Sequence, residues 1–151
     1  MSKTLEASID VAAPPEKVWA VVSDLKRMGE WSPQCRKMKV FGGDVRKGTT
    51  TLNINRKGFL VWPTTAKVIE FAPNKSIAFR IVENKMIWSY TLTPTASGTT
   101  VVEKREAPNG TSAISRFLID KALGGTEQLD VELVDGMNKT LQRIKAASEH
   151  G

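Results

Sequence analysis

The sequence holds one cysteine, one histidine and one tyrosine in 151 residues, and each scarcity narrows the chemistry. Cys35 alone rules out an internal disulfide framework and fits a reducing cytoplasm. It would need a base to act as a nucleophile, and no histidine is placed to serve it. The one histidine, His150, stands beside the last residue. Histidine acid–base catalysis and a His-containing metal site are therefore not indicated, and no metal or cofactor is expected. Gly42-Gly43 and Gly124-Gly125 lack the spacing of a phosphate-binding loop, so nucleotide chemistry is not indicated either. No apolar run approaches the roughly 20 residues that span a bilayer. The opening Met1-Ser2-Lys3-Thr4-Leu5-Glu6 passes directly into an alternating pattern, without the apolar stretch of a secretory signal.

What is present is the composition of a folded domain: 40% hydrophobic and 25% charged residues, with a net charge of +6. Lysine and arginine are spread from Lys3 to Lys145 in short groups, Arg36-Lys37, Arg46-Lys47, Arg56-Lys57 and Lys104-Arg105. Most are flanked by alternating apolar residues, as on the wet face of a sheet. The charge therefore reads as solvation rather than nucleic-acid binding, and it leaves a transient membrane contact open.

Leu5, Ala7, Ile9 and Val11 alternate with polar residues and predict a first strand over 4–11. Ala12-Ala13-Pro14-Pro15 stops it, and Pro15 suits the first turn of a short helix carrying Val18, Trp19, Val21 and Val22. Asp24 is placed to cap a second small helix that ends at Trp31-Ser32-Pro33. Six strands follow. They centre on Met38 and Val40, on 49–55, on 59–71, on Ile77, Phe79 and Ile81, on Met86, Trp88, Tyr90 and Leu92, and on 99–105. Arg56-Lys57-Gly58 reads as a hairpin turn, and Pro63 implies an edge or a bulge. Beyond Pro108–Ser112, whose side chains offer caps, an apolar face recurs at threes and fours from Ile114 to Ile144, interrupted at Gly124-Gly125.

This order predicts one α+β domain over 1–148, with 149–151 a frayed tail. A curved antiparallel sheet of about seven strands wraps a long C-terminal helix, and two short helices follow the first strand. One helix cannot cover the whole concave face, so a gap between helix and sheet is where a ligand would sit.

The run Ile9-Asp10-Val11-Ala12-Ala13-Pro14-Pro15-Glu16-Lys17-Val18-Trp19 resembles the START-related (SRPBCC) superfamily, in particular its polyketide cyclase/dehydrase-like branch. So do Ser23-Asp24-Leu25, Glu30-Trp31-Ser32-Pro33, Trp62 at the start of a long strand, Trp88-x-Tyr90-x-Leu92-x-Pro94, and Gly98-Thr99-x-Val101 followed by Glu103. The resemblance implies a helix-grip fold and raises the odds that several inward residues line a cavity rather than fill a core. That fold hosts lipid carriers, receptors and cyclases alike.

Placing the alternation on the concave face selects Phe79, Ile81, Met86, Trp88 and Tyr90, with Trp62 beside them and Trp31 near the mouth. Leu118, Leu129, Leu133 and Met137 close from the helix. Tyr90 is the candidate polar handle. Arg80, Glu103, Arg105 and Asn53 stand on strands whose facing is open. Cross-strand ion pairs in solvent, each worth under about 1 kcal/mol, are the expected role of such charges. An inward Arg80 or Arg105 would instead meet a ligand carboxylate or an enolate.

The preferred reading is a carrier or sensor of a lipid-like or polyketide-like molecule, cytoplasmic, monomeric or homodimeric. The runner-up is a cofactor-independent cyclase or dehydratase, for which Glu103, Glu106, Asp24 and Tyr90 are candidate bases without a recognisable motif. An antitoxin-like or stress-associated interaction protein is a third reading. Whichever holds, adding EDTA is expected to leave the melting temperature unchanged in a thermal scan; a clear drop would reveal a metal site.

Overall fold

The computed structural model describes residues 3–33, 35–83, 85–107 and 126–150. Strand β1 (Lys3–Val11) buries Leu5, Ala7 and Val11 from alternate positions. Helix α1 (Pro15–Val22) opens on Pro15, whose missing N–H costs nothing in a first turn, and buries Val18, Val21 and Val22. A 3₁₀ turn at Leu25–Arg27 runs into α2 (Met28–Trp31). The cap expected from the Asp24 side chain is not made. Its carbonyl does that work, accepting from the Arg27 N–H at 3.0 Å, because the segment starts as a tight 3₁₀ turn.

The remaining strands are β2 (Cys35–Val40), β3 (Thr50–Lys57), β4 (Leu60–Ala72), β5 (Ser76–Ile81), β6 (Ile87–Thr95) and β7 (Gly98–Ala107). Together they form one seven-stranded sheet in the order β1-β7-β6-β5-β4-β3-β2, with every neighbouring pair antiparallel. The α1–α2 segment carries the chain from one edge of this sheet to the other. Met86 falls in the turn before β6 rather than on the strand, and its carbonyl accepts from Ile81 N–H at 2.8 Å.

Two irregularities bend β4. Its pairing with β5 begins only at Ala66, so Pro63, which pairs with Ile54 of β3, lies where one flank of the strand has no neighbour. The register with β5 then shifts between Val68 and Glu70, a bulge that increases local twist. The β3–β4 hairpin turns one residue later than the sequence suggests. Lys57 still pairs with Leu60, and Gly58, at φ 61°, supplies the positive φ that a two-residue loop requires.

Helix α3 (Thr126–His150) lies across the concave face against β1 and β7 and touches α1 and α2. Met137, Leu141 and Ile144 are fully buried at spacings of four and three, with Leu133, Val134 and Ala147 packed at their margin. Its far end is tied down by polar contacts. Lys145 Nζ donates to the Asp10 carbonyl at 3.1 Å, Ala12 N–H donates to Glu149 Oε2 at 2.8 Å, and Lys145 and Glu149 form an ion pair. The helix runs to His150. The expected Gly124-Gly125 break and the capping segment at 108–112 lie outside the described residues.

Close packing of α2 on β2 depends on Gly29, where a Cβ would stand 2.2 Å from the Arg36 carbonyl oxygen. That atom is strand backbone and cannot rotate away. Gly29→Ala is expected to lower stability by about 1–3 kcal/mol in urea unfolding. Gly43→Ala, which meets open space, should stay within about 0.5 kcal/mol.

Candidate functional site

Residues of β7 alternate strictly, with Thr99, Val101, Glu103, Arg105 and Ala107 all buried. Glu103 and Arg105 therefore share the inner face with Val101. This corrects the expectation that they form ion pairs in solvent: period two fixes both once Val101 is inside. Glu103 stands between Tyr90 of β6 and Ala7 of β1, and Arg105 between Trp88 and Leu5. Arg80 does face solvent. Asn53 turns inward and is satisfied there: its Oδ1 accepts from Thr51 Oγ1 at 2.8 Å and its Nδ2 donates to Thr64 Oγ1 at 3.2 Å.

A carboxyl this deep is costly to ionise. Tyr90 OH donates to Glu103 Oε2 at 3.2 Å, while Oε1 has no hydrogen-bond partner among the described residues. Burial pushes the Glu103 carboxyl up to about 8 against the smaller opposing pull of the Tyr90 hydrogen bond. Tyr90 is itself pushed well above the ordinary phenol range, by burial first and then by the neighbouring Glu103. At neutral pH the pair is thus predominantly uncharged, and Glu103 retains a proton it can donate. Desolvation also raises the half-buried Cys35 thiol to about 11, partly offset by its hydrogen bond to the Lys37 backbone.

Beside Glu103 lies a cavity of about 360 Å³ between sheet and helix. Trp88 and Glu103 form its sheet side, Leu133, Gly136, Met137 and Thr140 its helix side. Ser32 and Pro33 close one flank, and Arg56, Lys57 and Gly58 of the hairpin close another. Gly136 lets the helix approach Pro33, whose Cγ would lie 3.4 Å from an added Cβ. Charges gather at the margin: Lys57 pairs with Glu132 of α3 at 2.5 Å, and Asp135 and Lys139 line the same edge. Among the described residues no group of three His, Cys, Asp or Glu side chains could hold a metal.

Of the residues selected from the sequence, Trp88, Leu133 and Met137 fall on the cavity wall. Phe79, Ile81 and Tyr90 are buried in the core cluster behind it, with Tyr90 reaching the wall only through Glu103. Trp31 is buried as well, under the Arg27 guanidinium at 4.7 Å from its ring centroid, with its carbonyl bound by Arg143. Trp62 stands half-buried on the hairpin opposite Asn55, and Met86 sits in its turn; neither lines the cavity. Leu118 lies outside the described residues, as does the side chain of Leu129. Thr140, Ser32, Pro33 and the hairpin residues were not singled out by the sequence, since only the folded arrangement brings these separate segments together.

A curved antiparallel sheet gripping a C-terminal helix, with a cavity between them, defines a helix-grip domain. The chain belongs to the family described as polyketide cyclase/dehydrase and lipid transport, which matches residues 2–149. It is 30% identical to the polyketide-cyclase-like protein Cgl2372 of Corynebacterium glutamicum, over 96% of this chain and 90% of that one, with a TM-score of 0.66. The fold is also shared with the Zhui aromatase/cyclase of a Streptomyces species, at 17% identity, 99% and 95% coverage and a TM-score of 0.81. A third structure, TTHA0849 from Thermus thermophilus, gives 17% identity, 97% and 99% coverage and a TM-score of 0.71. No curated protein matches.

The raised Glu103 pKa has a sign that can be checked. Between the ordinary value of 4.5 and about 8 the folded state holds a proton that the unfolded chain has released. Stability should therefore fall as pH rises through that window, by at most about 1.4 kcal/mol per pH unit, and level off above it. Urea midpoints collected across that range should show this slope in the native protein and a flatter one in Glu103→Gln.

Proposed function

We propose that the protein binds an apolar small molecule bearing a carbonyl or hydroxyl oxygen, lipid-like or polyketide-like, between the sheet and α3. The observation that carries this reading is Glu103: a buried carboxyl, raised to about 8 by that burial, on the wall of a cavity whose apolar lining is Trp88, Leu133 and Met137 and whose margin is charged. A core built only for stability gains nothing from an incompletely hydrogen-bonded acid. A ligand oxygen would complete its bonding. The cavity volume lies within the range of small-molecule sites, roughly 300–1,000 Å³. A single cysteine, Cys35, suits a cytoplasmic setting.

The same residue favours a second reading, cyclisation or dehydration of a poly-ketone. The ionised fraction of an acid titrating near 8 can take the proton from the carbon beside a ketone, and the carboxyl so formed can then return that proton to the departing hydroxyl as water leaves. Tyr90, held at Oε2, would orient it. No metal or cofactor is needed for either step.

Native mass spectrometry before and after incubation with a lipid extract of the source organism separates the readings. An adduct recovered unchanged supports a carrier, and a dehydrated or cyclised product supports the enzyme. No adduct at any concentration would remove both. In Nile red titrations, Trp88→Ala and Leu133→Ala are each expected to weaken binding on the order of tenfold, with circular dichroism confirming that the fold persists. Unchanged affinity in both would place binding elsewhere.

A further inference from the structure

Three of the exposed large apolar side chains are consecutive: Phe59, fully exposed, Leu60 and Val61, at 40% and 57%. They occupy the tip of the β3–β4 hairpin. The last β3 residue paired with β2 is Asn55, and the first β4 residue paired with β5 is Ala66. Beyond both limits the hairpin pairs only with itself, through Arg56 with Val61 and Lys57 with Leu60, and so projects past its neighbours.

Hairpin tips are ordinarily polar, and three adjacent apolar residues there need an occupant. Three side chains are too few for a stable protein interface, which buries upwards of about 1,000 Å². They suit a shallow wedge in the boundary between lipid headgroups and acyl chains. The charges around them point the same way. Arg56 and Lys57 precede the turn, and Arg36 and Lys37 are exposed on β2 at the same end of the sheet. Among the described residues the acidic groups facing the hairpin are Glu132, engaged with Lys57, and Asp135, both on α3. Cations prevail on the strand side, which favours a negatively charged surface.

We propose that the β3–β4 tip is a membrane-docking element. Phe59, Leu60 and Val61 enter an anionic bilayer, while Arg36, Lys37 and Arg56 meet its phosphates. Because Arg56, Lys57 and Gly58 also line the cavity, docking brings that wall of the cavity to the lipid. The inference stands on the tip and does not depend on what the cavity holds. Among the described residues no helix is long and apolar enough to cross a membrane, so this contact is peripheral.

Cosedimentation with sucrose-loaded phosphatidylcholine vesicles containing about 30 mol % phosphatidylglycerol tests it. The protein should pellet with these vesicles, and several-fold less when phosphatidylglycerol is omitted or salt is raised to about 0.5 M. The double variant Phe59→Ser/Val61→Ser should partition at least about tenfold more weakly while keeping its melting temperature, since both side chains are exposed. Failure of the native protein to pellet, or equal pelleting of the variant, would overturn the proposal. So would a concentration-dependent dimer in sedimentation velocity that the double variant abolishes without altering vesicle binding, since the tip's occupant would then be a second copy. Nile red titration without vesicles reads the cavity separately; no dye uptake alongside tip-dependent vesicle binding would count against the ligand reading and leave the docking intact.

Discussion

Among the described residues one long helix lies over a seven-stranded sheet, and that is the constraint from which the rest of the structure follows. The helix can seat closely only where large apolar side chains meet the strands. Here that seat runs from Met137 through Leu141 to Ile144, and it is locked at the far end by Lys145 and Glu149 on the β1–α1 corner. Beside Leu133, Gly136 and Met137 the described residues of sheet and helix leave a cavity between them. Its position is set by the same contacts that stabilise the domain, so ligand space and stability draw on one helix.

Inside that trough the sheet presents an unusual amount of polarity. Thr51, Asn53, Thr64 and Asn55 bond one another, and Glu103 with Tyr90 forms a second buried cluster. The first cluster is satisfied by its own members, which is how polar groups are retained in a core without large cost. In the second, one carboxylate oxygen lacks a partner among the described residues. The difference separates polarity that organises the fold from polarity available to something else. Fold membership alone does not decide between carriage and catalysis, because the family name itself spans both.

The elements of this fold were legible because each obeys a local rule. Period-two alternation gives the strands, the proline pair at 14–15 stops β1 and starts α1, and the threes and fours of 133–144 give the apolar face of α3. The inner position of Glu103 was also legible: counting by twos from Val101 reaches it. The assumption that charges belong in water prevailed over the count. Hydrophobicity alone could not separate cavity wall from packed core, since Trp88 and Phe79 face each other across β5 and β6 and yet only Trp88 reaches the space. That distinction depends on helix placement to within a side chain's width, and no strand carries it. Likewise, the contribution of Arg56, Lys57 and Gly58 arises from the angle at which a hairpin folds back toward a helix distant in sequence.

The pairing of β1 with β7 also constrains the order in which the chain can assemble. Asp10 and Thr100, bonded side chain to side chain, are separated by ninety residues. Strands β2 to β7 can form a meander as they emerge from the ribosome, each pairing with the one just made. The first strand has no such partner. At about 5–20 residues per second, it waits on the order of 5–20 s for β7 to be synthesised, and longer for the helix that covers it. During that interval an apolar, unpaired strand is available to any other sheet edge or to a chaperone. Closing these distant segments costs more chain entropy than any single hairpin of the meander, whose partners are adjacent in sequence.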